Sequence, residues 1–126
     1  MPVLTQPPTM GDVLKYELNP NFTRETVTLL AGTKYPVGAV LGRITASGKF
    51  KLSTATGTDG AQNAAAVLLY ATDTTAADQN AVVIVRGPAI VSKAALVFDA
   101  SVDDAAKTAP KHAQLTALGI IPRDTA

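Results

Sequence analysis

Residues 40–52 read Val40-Leu41-Gly42-Arg43-Ile44-Thr45-Ala46-Ser47-Gly48-Lys49-Phe50-Lys51-Leu52, or VLGRITASGKFKL. Two glycines, the second followed by lysine, suggest a phosphate-binding loop. The spacing rejects it. A P-loop reads G-x-x-x-x-G-K-[ST] and joins a strand to a helix. Here five residues separate Gly42 from Gly48, and Phe50 stands where magnesium needs a hydroxyl. β-Prone residues continue on both sides, so the segment reads as a β-hairpin. A loop of Ala46-Ser47-Gly48 pairs Thr45 with Lys49, Ile44 with Phe50, Arg43 with Lys51 and Gly42 with Leu52. Val40, Ile44, Phe50 and Leu52 then share one apolar face. Gly48 occupies the loop position that favours positive φ.

Strand signals continue outward from this hairpin. Thr23 to Leu30 alternates Val27 and Leu29 among β-branched residues. Ala64 to Ala71 reads as a buried strand between turn-rich segments, and Ala81 to Val85 is the clearest buried strand, stopped by Pro88. Residues 53–63 and Thr72 to Gln79 read as polar surface loops. Near the C-terminus a helix is expected to start with Ser101 as its cap and Asp104 closing a capping box. The adjacent Asp103 and Asp104 favour the positive end of the helix dipole. Pro110 is expected to kink that helix or to restart it with Thr108 as a new cap. Gly119 should end it in the left-handed conformation.

Before the hairpin lies a different kind of sequence. Residues 1–12 carry three prolines and favour an extended or disordered arm. Leu14, Tyr16 and Leu18 follow at period two, isolated by Pro8 before and Asn19-Pro20 after. Such a strand either pairs with the chain's own sheet or adds to a sheet of another protein. Because it precedes the main hydrophobic pattern, the core is expected to fold without residues 1–18.

The chain has 126 residues, a net charge of +1, no cysteine, no tryptophan and a single histidine. That length suggests one domain. Its apolar content rests on small Ala and Val side chains, which bury little area each, so subunit association is expected to add to the core. Lysines and arginines are scattered, unlike the basic stripe of a nucleic-acid binder. Cysteine chemistry is excluded, and no apolar run reaches membrane-span length. The start lacks the basic and apolar regions of a signal peptide. His112, beside Lys111 on an exposed helix, reads as solvated. Asp73 and Asp78 do not match a calcium loop, and Gly57-Thr58-Asp59-Gly60 reads as a plain turn. No catalytic, cofactor-binding or metal-binding residue is expected.

The segment GAVLGRITASGKFKLSTATGTDGAQNAAAVLLY, followed by ADQNAVVIVRG and the ending ASVDDAAKTA…LTALGII, resembles the head decoration proteins of tailed bacteriophages. The resemblance covers roughly Thr26 to Ile121. It implies an α+β, mostly β, compact β-clip-like domain with a C-terminal helix, over residues 25–126. It also implies an extended N-terminal capsid-binding arm over residues 1–24. By the same resemblance the protein is a homotrimer on the outside of the virion, made in the host bacterial cytoplasm. It would bind the major capsid protein at threefold positions of the expanded shell and hold it against internal DNA pressure. Leu14, Tyr16, Leu18 and Phe22 are the expected capsid-binding residues. No nucleic acid, membrane, small-molecule substrate or cofactor is implied. Another virion module, tail- or fibre-associated, is the alternative. An enzyme on a similar scaffold is a remoter one, for want of convergent polar residues.

Overall fold

A computed structural model describes residues 13–124. Five strands close a barrel in the order β2-β5-β4-β6-β8: β2 (Arg24–Leu29), β4 (Val40–Arg43), β5 (Phe50–Leu52), β6 (Ala64–Leu68) and β8 (Gln79–Ile84). A three-stranded sheet, β1 (Leu14–Glu17), β9 (Ala89–Ser92) and β10 (Ile120–Arg123), lies in the order β1-β9-β10. Two residues each from β3 (Lys34–Tyr35) and β7 (Thr72–Asp73) form a separate ladder. One helical turn, α1 (Pro20–Thr23), leads into β2, and the long helix α2 (Ala105–Ala117) precedes β10. The chain is α+β and mostly β, as expected.

The barrel strands read as continuous apolar runs because several serve two cores. Leu41, Ala66, Leu68 and Val83 fill the barrel with Leu29 and Phe50. Their neighbours Val40, Val67 and Ile84 point outward into a second cluster with Val91, Leu115 and Ile120. Adjacent strand residues face opposite ways, so a strand buried on both sides loses the apolar–polar alternation of a half-exposed one.

That double burial also explains the hairpin. β4 and β5 pair as expected in kind, but Leu41 faces Leu52, Gly42 faces Lys51 and Arg43 faces Phe50. The register differs by one residue from the expected Gly42–Leu52 pairing. The loop is Thr45 to Gly48, closed by Gly48 N–H donating to the Ile44 carbonyl (2.8 Å). A one-residue change swaps every facing pair. Leu41, rather than Val40, therefore shares the barrel core with Phe50 and Leu52. Gly48 has φ +75°, the conformation the sequence predicts for it. Gly42 has a different reason to be glycine: a Cβ there would run into the Ala61 carbonyl, where the 53–63 loop crosses β4.

The expected arm is only partly in view, since residues 1–12 lie outside the described residues. Residues 13–24 are built into the domain. β1 pairs antiparallel with β9, and Val13 is fully buried in the second core. The expectation that the core dispenses with residues 1–18 does not fit this packing.

The helix begins later than expected. Asp104, not Ser101, is its cap, accepting from Lys107 N–H at 2.8 Å. Ser101 Oγ accepts instead from Ala55 N–H (3.0 Å) and donates to Asp99 (2.6 Å). Pro110 neither breaks nor restarts α2, which runs through it. Thr108 stays an interior residue, its N–H donating to the Asp104 carbonyl at 3.0 Å. Pro110 and Ala106, the residue whose carbonyl loses a partner, are both exposed, so water can serve that carbonyl. Gly119, at φ +85°, ends the helix as expected.

Candidate interaction surface

β1 approaches the domain through a short polar anchor. Glu17 is nearly buried and receives Arg24 at 2.5 Å, with the Thr23 hydroxyl donating to the same carboxylate at 2.6 Å. Burial pushes the Glu17 carboxyl up, but the hydrogen bonds from Arg24 and Thr23 and the Arg24 charge outweigh it and hold its pKa below the usual value. Between the two partners the chain turns at Asn19, whose side chain accepts from Asn21 N–H at 2.9 Å and caps α1.

This anchor fixes which side chains of β1 face outward. A bulge lies between Leu14, opposite Val91, and Tyr16, opposite Ile90. Leu14 is half-buried and packs on the second core. Tyr16 is 49% exposed and Leu18 60% exposed. The bulge therefore breaks the expected Leu14–Tyr16–Leu18 face, removing Leu14 and leaving the other two together.

β10 pairs parallel with β9 and places Ile121 beside Ile90. Tyr16, Ile90 and Ile121 thus form one row across the sheet on its outer face. The next row, Glu17, Ala89 and Ile120, carries the buried Ala89 and Ile120 on the inner face. Leu18 N–H donates to the exposed Pro88 carbonyl at 3.0 Å, which continues the pairing and keeps Leu18 beside Tyr16. Phe22 stands on the adjoining turn α1. The Arg86 guanidinium sits 5.4 Å from its ring centre, donates to the Phe22 carbonyl at 2.5 Å and pairs with Glu25 at 2.5 Å. The sequence reading missed Pro88, Ile90 and Ile121. Their partnership with β1 needs the β9–β10 register, which no local pattern reveals.

α2 organises a second surface feature. Lys111 is only 2% exposed, and its Nζ donates to the carbonyls of Thr54 (2.6 Å) and Gln62. Burial lowers its pKa. Gln114 Oε1 accepts from Ala64 N–H at 2.7 Å, so one helix face pins the 53–63 loop near both ends. Lys51 reaches Asp59 of that loop at 2.7 Å. His112 is not solvated as expected: its Nε2 is buried without a hydrogen-bond partner among the described residues, and its ring meets Phe98 edge-on at 5.8 Å. Burial and the charge of Lys93 lower its pKa. No group of three potential metal-binding side chains occurs among the described residues. No described helix is long and apolar enough to cross a membrane.

The model of one protein family, described as bacteriophage lambda head decoration protein D, matches residues 3–120. The chain belongs to this head decoration family. The match runs through β1, both cores and α2, so the fold described above is the family's domain in this sequence. Membership gives the chain a structural role on a phage capsid, in a family of decoration proteins rather than enzymes. No curated protein matches the chain.

Proposed function

We propose that the protein is a trimeric cementing protein. It binds the outside of the expanded phage capsid at threefold positions, joins neighbouring major capsid proteins and stabilises the shell against the pressure of packaged DNA. The observation that carries this reading is the apolar set of exposed Tyr16, Leu18 and Ile121 around half-buried Ile90 on one sheet face, in a chain of the head decoration family. Large exposed apolar groups clustered on a domain surface favour a protein partner. Phe22, stacked on Arg86, extends the candidate contact; Leu14 supports it from beneath. Three such faces in a trimer would gain roughly 10²–10⁴-fold in avidity over one. Selection of the expanded shell follows if only that state spaces the receiving surfaces correctly.

Deleting residues 1–18 is a poor test, because it removes buried Val13 and the Glu17–Arg24 pair. Exposed substitutions test the surface with the core intact. Tyr16→Ser with Leu18→Ser should leave the circular dichroism spectrum unchanged and weaken binding to expanded, undecorated heads at least tenfold, on the order of 1.4 kcal/mol. Unchanged binding would refute this surface as the contact. Light scattering of the free protein tests the trimer separately.

A further inference from the structure

Phe22 is 52% exposed on α1, a single turn too short to hold its shape alone. Its order comes from contacts on both sides. At the start of the turn, Phe22 N–H and Thr23 N–H both donate to the Asn19 carbonyl at 2.9 Å. Toward β1, the Thr23 hydroxyl donates to Glu17 at 2.6 Å. Toward β8, Val85 N–H donates to the Thr23 carbonyl (3.0 Å) and Arg86 Nη1 to the Phe22 carbonyl (2.5 Å). The last carbonyls of a helix lack partners within it, and the residues just past the end of β8 supply two of them. Arg86 itself stands on fixed backbone. Val85 before it is bound to Thr23, and Gly87 after it donates to the Leu118 carbonyl at 2.9 Å. A Cβ on Gly87 would strike the Gly119 carbonyl, so the chain is tightly held there.

The Arg86 guanidinium makes three contacts at once. Nη1 holds the Phe22 carbonyl, Nη2 pairs with Glu25 at 2.5 Å, and its central carbon lies 5.4 Å from the Phe22 ring centre. A planar fork can do this; a lysine ammonium cannot. Stability does not account for the arrangement. The Arg86–Glu25 pair is exposed, and such pairs contribute little. A half-exposed phenylalanine also forgoes the gain of full burial. A fixed aromatic side chain at the surface suits binding instead. An anchor already in place loses less freedom when a partner arrives. We propose that Arg86 is a positioning residue for capsid binding, presenting Phe22 as a preformed anchor on the turn that adjoins Tyr16 and Leu18. This role rests on the reading of that face as the capsid contact.

Fluorine NMR of the free protein and a double-mutant cycle on the capsid test it. The chain has three phenylalanines, so para-fluorophenylalanine gives three signals, and Phe22→Ser identifies that of residue 22 by its loss. In Arg86→Gln and Arg86→Lys this signal should move toward its unfolded-chain position. The signal of Phe50, in the barrel core, should stay, and the Val83 and Ile84 amides should remain protected. Binding to expanded, undecorated heads should weaken roughly three- to tenfold in Arg86→Gln, through the lost pre-organisation. Arg86→Lys keeps the charge and should lose about as much. In the Phe22→Ser background, Arg86→Gln should add almost nothing, because the two residues act as a unit. A loss that persists in full in that background would overturn the proposal, since Arg86 would then touch the partner itself. An unmoved fluorine signal, or normal binding by Arg86→Gln, would overturn it too. If Phe22→Ser binds normally while Tyr16→Ser with Leu18→Ser does not, the positioning role fails and the capsid-contact reading stands. If all these variants bind normally, both fail.

Discussion

Lys111 Nζ lies 2.6 Å from the Thr54 carbonyl oxygen and also donates to the Gln62 carbonyl, so one buried ammonium from α2 closes the loop between β5 and β6. Lys111→Met keeps the stem's volume and removes both donors. Two carbonyls then lose a partner, while the cost of burying the charge disappears. The first effect should dominate, because an unsatisfied buried acceptor costs about 1–3 kcal/mol. Urea unfolding followed by circular dichroism should show a loss of about 1–3 kcal/mol. Exchange at Thr54 to Asn63 should quicken more than in β8. A gain in stability would mean that desolvation of the ammonium outweighs its hydrogen bonds.

Glu17→Gln should weaken the docking of β1. The carboxylate gathers Arg24 and the buried Thr23 at one point, and charged hydrogen bonds of this kind contribute about 1.5–3 kcal/mol. The folded pKa of Glu17 lies below its ordinary 4.5. The unfolded chain therefore binds the proton first as pH falls. This contribution is fully present above 4.5 and is lost as pH drops through the lower folded value. The stability difference between wild type and Glu17→Gln should shrink across that acid window. A difference that stays constant down to pH 2 would assign the effect to packing rather than ionisation.

His112 should act in a higher pH window. Its folded pKa lies below the ordinary 6.5, through burial and the Lys93 charge. A depressed base also favours proton binding by the unfolded chain. Stability is therefore complete above 6.5 and declines as pH falls through the folded value. Lys93 brings positive charge to His112, and Phe98 offers only an aromatic edge. His112→Phe should flatten the stability profile between pH 6.5 and the onset of carboxylate titration. Thermal unfolding at half-unit pH steps measures this, and an unchanged slope in the variant would locate the acid sensitivity elsewhere.

Much of this was legible in the sequence. The hairpin, the buried strands at β6 and β8, the end of α2 at Gly119 and the mostly β fold all follow from local pattern and turn chemistry. What could not be read depends on contacts distant in sequence. The hairpin register turned on whether Val40 or Leu41 faces the barrel, and only a second core outside the barrel decides that. Tyr16 and Leu18 stood out as apolar residues on one face of an isolated strand. Leu14 looked equivalent because nothing local announces the bulge that turns it inward. His112 looked solvated, and nothing marked Lys111 as buried, because their burial depends on contacts with Phe98 and the 53–63 loop. Ser101 looked like a cap because Ser-x-x-Asp fits the pattern, but Ala55 and Asp99 engage its hydroxyl instead.

Pro110→Ala should stabilise the protein. Pro110 lies inside α2, without an N–H to offer the Ala106 carbonyl and with a ring that crowds that carbonyl. Interior proline is disfavoured against alanine by about 3 kcal/mol in model helices. Here the site is exposed and water can serve the carbonyl, so the gain should be about 1–2 kcal/mol. For a domain of this size that corresponds to a rise in Tm of roughly 3–8 °C. α2 anchors the 53–63 loop through Lys111, one residue on, so the same substitution should slow exchange at Thr54 and Gln62. A fall in Tm would show that the proline bends α2 to bring Lys111 and Leu115 into place, and that a straight helix misplaces them.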